Sequence, residues 1–282
     1  MTERHQMERQ DLLERVRDLR VAGKTVRSIA SELGVHRSSV HRAVKALAQL
    51  GARQAPLSDE TGQEVEVSHH TLSPTYGPFV GRGPEMAQLR SALEESISGR
   101  PHLMMLVGEP GIGKTRISQE LASYAQSLSA RVLRGRCYES MGTPPYWPWV
   151  QAILSYARDC DPERLRTEMG IGAADIAEIV PDLRTMLPGL EPSAGLEPEQ
   201  ARLRLFDSIV TFLRTPARSQ PLLLVLDNLH WADVSSLLLL EFMSQELAEA
   251  RILTIGTYRD TEVSQEHPLS RTLGELTKGP YY

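Results

Sequence analysis

Cysteine is scarce in this chain: its 282 residues include two, Cys137 and Cys160. They stand 23 positions apart, without a CxxC or Cys/His spacing around either. That pattern excludes a zinc framework and a disulfide scaffold, and fits a reducing cytoplasm. Long apolar runs are missing too. No stretch approaches the roughly 18 residues needed to span a bilayer, and the opening MTERHQMERQ is too polar for a secretory signal. The expectation is a cytoplasmic chain with no membrane partner. Internal repeats and low-complexity tracts are also lacking. What remains, 41% apolar and 24% charged residues, is the composition of an ordinary globular protein, long enough for one or two domains with a buried core.

Charge is unevenly spread. Residues 1–50 hold ten basic and six acidic side chains (net +4), and the rest hold 21 basic and 30 acidic (net −9). A basic head on an acidic body predicts two domains with different partners, the head being the one suited to a polyanion. Leu12, Leu13, Val16 and Leu19 place a helix over Met7–Ala22. Val26–Leu33 and Arg37–Leu47 fit two more. TVRSIASELGVHRSSVHRAVKAL has the helix-turn-helix arrangement: Ile29, Ala30 and Leu33 face inward, Gly34 permits the turn, and Val35, Val40 and Ala43 anchor the second helix. That helix turns His36, Arg37, Ser38, Ser39, His41, Arg42 and Lys45 outward, donors for phosphates and base edges with no carboxylate among them. Residues 1–50 are therefore expected to bind DNA, with a three-helix protein-interaction module as the alternative. One such module reads a short half-site, so useful affinity calls for a dimer.

Residues 51–76 are polar, with Gly, Pro and Ser, and read as a linker; His69 and His70 within it lack further ligands. Over 77–282 the pattern changes. A helix starts at Pro84, followed by a strand at His102–Val107, a glycine-rich turn, a helix from about Gly113 to Ser127 and a strand at Arg131–Arg134. A mostly helical insertion comes next, with one helix starting at Pro162 and another over Glu197–Leu213. Strands at Leu222–Leu226 and Ile252–Gly256 flank a helix near Val234–Ala248. Alternating strands and helices predict an α/β fold: a three-layer α/β/α domain around a mainly parallel sheet.

The glycine-rich turn, VGEPGIGKTR, contains Gly108, Glu109, Pro110, Gly111, Ile112, Gly113, Lys114 and Thr115, a full match to GxxxxGK[ST] between a strand and a helix. Glycines let successive N–H groups face inward, and the helix N-terminus adds positive potential, so the loop suits a phosphate chain. Lys114 would reach the terminal phosphates and the Thr115 hydroxyl would bind Mg²⁺; Arg116 follows directly. In PLLLVLD, Asp227 leaves a buried strand where a carboxylate could hold the same metal. Asp233, just before VSSLLLLEF, reads as a helix cap. Arg259, after ILTIGTY, is either a sensor of the γ-phosphate or a surface loop arginine.

Together FVGR (79–82), GEPGIGKT, GRCYE (135–139), PPYWPW (144–149), LVLDNLHWAD and IGTYRD resemble the STAND-type ATPases, AAA-type P-loop NTPases that include large ATP-binding transcriptional regulators. The resemblance spans Phe79 to about Arg271. It implies ATP or ADP with Mg²⁺ as cofactors, a sheet ordered 5-1-4-3-2, and Gly81 and Arg82 near the adenine side. Trp147 and Trp149 look like packing residues of the insertion. Gly83 stands where the family often has Glu. Asn228 replaces the usual second acid after the strand. The chain also stops short of the family's fifth strand and lid, so a truncated member is expected.

Asparagine can orient a water but cannot take its proton, and loss of a general base costs roughly 10²–10⁴-fold. Of the four positions assigned to the chemistry, Lys114, Asp227, Asn228 and Arg259, the third is therefore the weak one. The expectation is a nucleotide-switched DNA-binding regulator that hydrolyses ATP slowly or negligibly and clusters as a homo-oligomer when ATP is bound. The alternatives are an active ATPase helper in DNA transposition and a signalling scaffold whose head binds protein.

Overall fold

A computed structural model describes residues 15, 32–33, 81–139, 143–193 and 195–282. The head helices, the linker, the outward-facing residues His36 to Lys45, and Phe79 and Val80 of the FVGR motif lie outside the described residues. The chain divides into two compact units, 1–74 and 75–282, and the second contains the sheet.

The elements of that second unit run α1 (Gly83–Ile97), β1 (His102–Val107), α2 (Lys114–Ser127), β2 (Arg131–Arg136), α3 (Trp147–Arg158), α4 (Pro162–Met169), α5 (Ala173–Ile179), α6 (Leu183–Met186), α7 (Pro198–Ala217), β3 (Leu222–Asp227), α8 (Val234–Glu246), β4 (Ile252–Tyr258) and α9 (Pro268–Leu276). The four strands form one parallel sheet ordered β1-β4-β3-β2. β4 pairs directly with β1, Val107 opposite Tyr258. The Leu103 N–H on the outer side of β1 donates to the Tyr281 carbonyl at 2.7 Å.

Both faces of the sheet are covered, which explains the apolar run of β3 and the largely apolar β4, whose Thr254 and Thr257 are buried as well. Leu223 and Val225 of β3, with Leu253 and Ile255 of β4, pack against Met86, Leu89 and Leu93 of α1 and Ile117, Leu121 and Ala125 of α2. The alternate residues Leu222, Leu224 and Leu226 meet Trp149, Ile153 and Tyr156 of α3, Phe212 of α7, and Leu240 and Met243 of α8. Each fully buried leucine of this kind contributes about 2 kcal/mol. The two-residue period thus divides one strand between two cores.

Caps and close approaches fix the ends of these elements. Asp161 caps α4 by accepting the N–H groups of Glu163 (3.0 Å) and Arg164 (3.2 Å). Asp233 caps α8 through the Ser236 N–H at 3.0 Å and also accepts the Tyr146 N–H at 3.2 Å, so the helix-cap reading holds. Trp149 is buried with its indole N–H on the Ser236 carbonyl, a packing role. β2 runs two residues past the predicted Arg134. Gly135 continues the strand because α3 lies against it; a Cβ there would sit 2.0 Å from the Pro148 carbonyl oxygen.

Candidate functional site

In a parallel sheet the carboxyl ends of the strands open onto one crevice. Here β1 feeds the loop at 108–113, β3 ends in Asp227, β4 is followed by Arg259, and β2 ends in Arg136 directly opposite Asp227.

Gly108, Gly111 and Gly113 all have positive φ (145°, 81° and 105°), so the glycines supply a backbone path that side-chain-bearing residues rarely adopt. The loop delivers Lys114 as the first residue of α2. Its ammonium donates to the carbonyls of Gly108 (2.6 Å) and Glu109 (3.0 Å). Partial burial and the nearby Arg259 guanidinium hold its pKa below the ordinary lysine value. Gly111, Gly113, Lys114, Thr115, Asn228 and Arg259 line one cavity of about 360 Å³, with Pro110 and Arg116 also on its wall. Arg116 pairs with Glu120 at 2.6 Å.

Asp227 and Thr115 share a neighbouring cavity of about 260 Å³ with Arg134 and Arg136. Both oxygens of Asp227 are engaged. Oδ1 accepts the buried Thr257 hydroxyl at 2.5 Å, and Oδ2 accepts Arg136 Nη2 at 3.0 Å and Nε at 3.2 Å. Thr257 in turn accepts the Asn228 N–H at 3.0 Å. Asn228 has φ 63° and ψ 46°, a left-handed conformation that asparagine tolerates better than most residues.

Arg259 is held by partners in the adjoining turns. Its guanidinium lies 5.0 Å over the Trp231 ring and pairs with Glu262 at 2.5 Å. Its N–H donates to Nδ1 of His230 at 3.4 Å. The His230 ring is wholly buried, tilted against Trp231, with Nε2 3.6 Å from Glu262 Oε2. Burial pushes its pKa below the ordinary histidine value.

The remaining predicted residues are placed less centrally. Arg82 donates to the Ile112 carbonyl at 3.1 Å and pairs with Glu85. With Ile112 and Lys114 it lines an apolar cavity of about 310 Å³ beside β1. Gly81 instead faces a separate hollow along α1, beside Ala87, Arg90 and Glu94. Glu109 contributes its carbonyl to Lys114. Arg136, Thr257, His230, Trp231 and Glu262 are neighbours of the site to which the sequence alone gives no role. The GRCYE, IGTYRD and LHWAD motifs contain four of them, but register and packing, which give all five their positions, are not written in a motif.

Among the described residues no helix is long and apolar enough to cross a membrane, and no group of three His, Cys, Asp or Glu gathers as a metal site.

The chain is similar to the following known proteins. An uncharacterised protein of Rhizobium meliloti (strain 1021) is 21% identical over 205 residues, 67% of this chain; the chain spans about a fifth (19%) of that relative's length. The crystal structure of Cdc6p from Pyrobaculum aerophilum aligns with a TM-score of 0.44 and 22% identity, over 74% of this chain and 46% of that one. The Drosophila ORC bound to DNA aligns at 0.33 and 14%, over 68% of this chain and 86% of that one. Residues 78–255, more than half of the chain, match the AAA ATPase domain. The chain belongs to the AAA ATPase domain family, a family of nucleotide-binding ATPases.

Proposed function

We propose that this protein binds ATP and Mg²⁺ at the 108–115 loop and uses the nucleotide to switch a DNA-binding regulator, with slow or negligible hydrolysis. Domain boundaries follow the sequence: a DNA-binding head over 1–50, a linker over 51–76 and the nucleotide domain over 77–282.

The observation that carries the reading is the convergence of Lys114, Thr115, Asn228 and Arg259 on one cavity at the carboxyl ends of the strands. The geometry fits the proposed ligand. Gly111 and Gly113 leave open space where a Cβ would stand, so phosphate oxygens could approach the backbone N–H groups. The Lys114 ammonium, held on two loop carbonyls, can exchange them for phosphate oxygens. Arg259 supplies a second cation, and Arg82 and Ile112 border an apolar cavity suited to a base.

The metal fits as well. Thr115 and Asp227 line one cavity and offer two oxygen donors, the ligand chemistry that suits Mg²⁺. Bound there, it would neutralise phosphate charge. Asp227 would hold it, Thr257 would orient Asp227, and Asn228 could orient a water without accepting its proton. That composition supports occupancy outlasting turnover, so the nucleotide acts as a switch, and the ATP state would cluster several heads on DNA.

Nucleotide retention and turnover of the full chain beside Lys114→Ala test this. The wild type should retain ATP with Mg²⁺, and the variant should bind about 10- to 100-fold more weakly, the worth of a charge-assisted bond. If the wild type gives neither heat nor a melting shift in millimolar ATP and Mg²⁺, the reading is wrong.

A further inference from the structure

We propose that Arg136 is a resident counter-cation on the metal-holding carboxylate, so that Mg²⁺ enters the site against an internal competitor. This rests on the nucleotide reading above and specifies how that site is controlled.

The arrangement starts from register. Arg136 is the residue of β2 that pairs with Asp227 of β3. Its guanidinium puts two donors on Oδ2, at 3.0 and 3.2 Å, while Thr257 holds Oδ1. The main chain beneath it is pinned from three sides. Gln151 Nε2 donates to the Arg136 carbonyl at 2.8 Å, the Cys137 N–H donates to the Asp227 carbonyl at 2.9 Å, and Gly135 presses against Pro148. The tip is open to solvent by contrast: the Arg136 side chain is 48% exposed, against 13% for Asp227. A charged tip that is exposed on a fixed base can leave the carboxylate without disturbing the sheet.

A divalent cation held by Thr115 and Asp227 would meet this guanidinium in the same cavity, where Arg134 also stands. Two cations on one carboxylate repel, so without phosphate the ion pair with Arg136 wins. A triphosphate brings enough negative charge to hold both. Asp227 would therefore take up the metal together with nucleotide, and Arg136 would keep it neutralised between times. Arg136 acts through Asp227, which makes it a positioning residue.

The test uses the full chain, a fluorescent ATP analogue and a Mg²⁺ titration of its retention, for wild type, Arg136→Gln and Arg136→Lys. Melting in EDTA and in Mg²⁺ checks folding. Arg136→Gln should lower the Mg²⁺ midpoint roughly five- to tenfold, the effect of removing one nearby unit charge at a half-exposed site. In EDTA the same variant should bind the analogue more weakly, because an anion site has lost a cation. Opposite signs are the signature, since mere structural damage would weaken both. A midpoint unchanged or raised in a folded Arg136→Gln overturns the proposal. Should that variant not fold, Arg136→Lys decides: a lysine offers fewer donors to Oδ2, so its midpoint should fall roughly two- to threefold. A wild-type or higher midpoint there overturns the proposal equally. Failure of the wild type to bind the analogue at any Mg²⁺ concentration is a different result. It overturns the nucleotide reading, and this proposal with it, before any variant is compared.

Discussion

Asn228 carries two burdens that substitutions can separate. Its backbone is left-handed, and its side chain borders the cavity shared with Lys114 and Arg259. Glycine takes that backbone freely, aspartate tolerates it, and alanine in the left-handed region costs about 1 kcal/mol or more. Asn228→Gly should therefore melt near the wild type and Asn228→Ala below it, although both lose the amide. Turnover tests the other burden. Asn228→Asp restores a group able to take a proton from water, and ATP turnover should rise, by up to roughly 10²-fold. If single-turnover measurement finds Asn228→Asp no faster than the wild type, the proposed slow turnover does not come from lack of a base.

At the scale of elements, the turns after β3 and β4 are coupled through one buried ring. His230, in the 3₁₀ turn Leu229–Trp231, accepts the Arg259 N–H, faces Glu262 from the turn Asp260–Glu262, and has its carbonyl bonded by His267 Nε2 at the start of α9. Its folded pKa is lowered below 6.5, first by burial and then by Arg259, Lys114 and His267, against the opposing pull of Glu262. The unfolded chain therefore binds the extra proton more readily than the folded one. Stability from the neutral ring is present above pH 6.5 and is lost as pH falls below it. The melting temperature should drop through that window in the wild type and less in His230→Gln. Parallel melting profiles would assign the acid sensitivity to other groups.

Legibility divides along the same lines. β3 and β4 are readable from sequence because both faces of each are covered, which favours apolar residues, and β1 because its run from Leu103 to Val107 is apolar even at the sheet edge. β2 reads two residues short because Gly135 and Arg136 look like a strand ending; in fact the glycine admits α3 and the arginine meets Asp227. The helix start at Pro162 and the cap at Asp233 are readable because both are local chemistry. The short helices α4, α5 and α6 do not separate within the insertion by pattern alone. Pieces of four to eight residues owe their existence to packing, not periodicity. The 108–115 loop, Asp227 and Asn228 can be named from a motif. The ion pair on Asp227 and the stacking of Arg259 on Trp231 cannot, because each joins side chains whose meeting depends on which strand or turn lies beside which.

For the whole molecule, the charge division is the feature no single element explains: net +4 over residues 1–50 and net −9 over the rest. A chain so divided attracts a polyanion through one segment and repels it through the other, so the proposed DNA contact would be confined to residues 1–50 and would be sensitive to salt. If Arg37 and Arg42 each neutralise a phosphate, replacing both with alanine should weaken retention of duplex DNA by the full chain roughly tenfold or more at low salt. It should also flatten the plot of log affinity against log salt by about 1.8, two contacts at about 0.9 each. Lys114→Ala, measured without nucleotide, should match the wild type on both counts, since its change lies in the other unit. A helix that binds protein instead would leave DNA retention weak and indifferent to Arg37→Ala and Arg42→Ala. The slope discriminates better than affinity, because a misfolded head loses binding at every salt concentration, whereas loss of two phosphate contacts removes a defined share of the salt dependence.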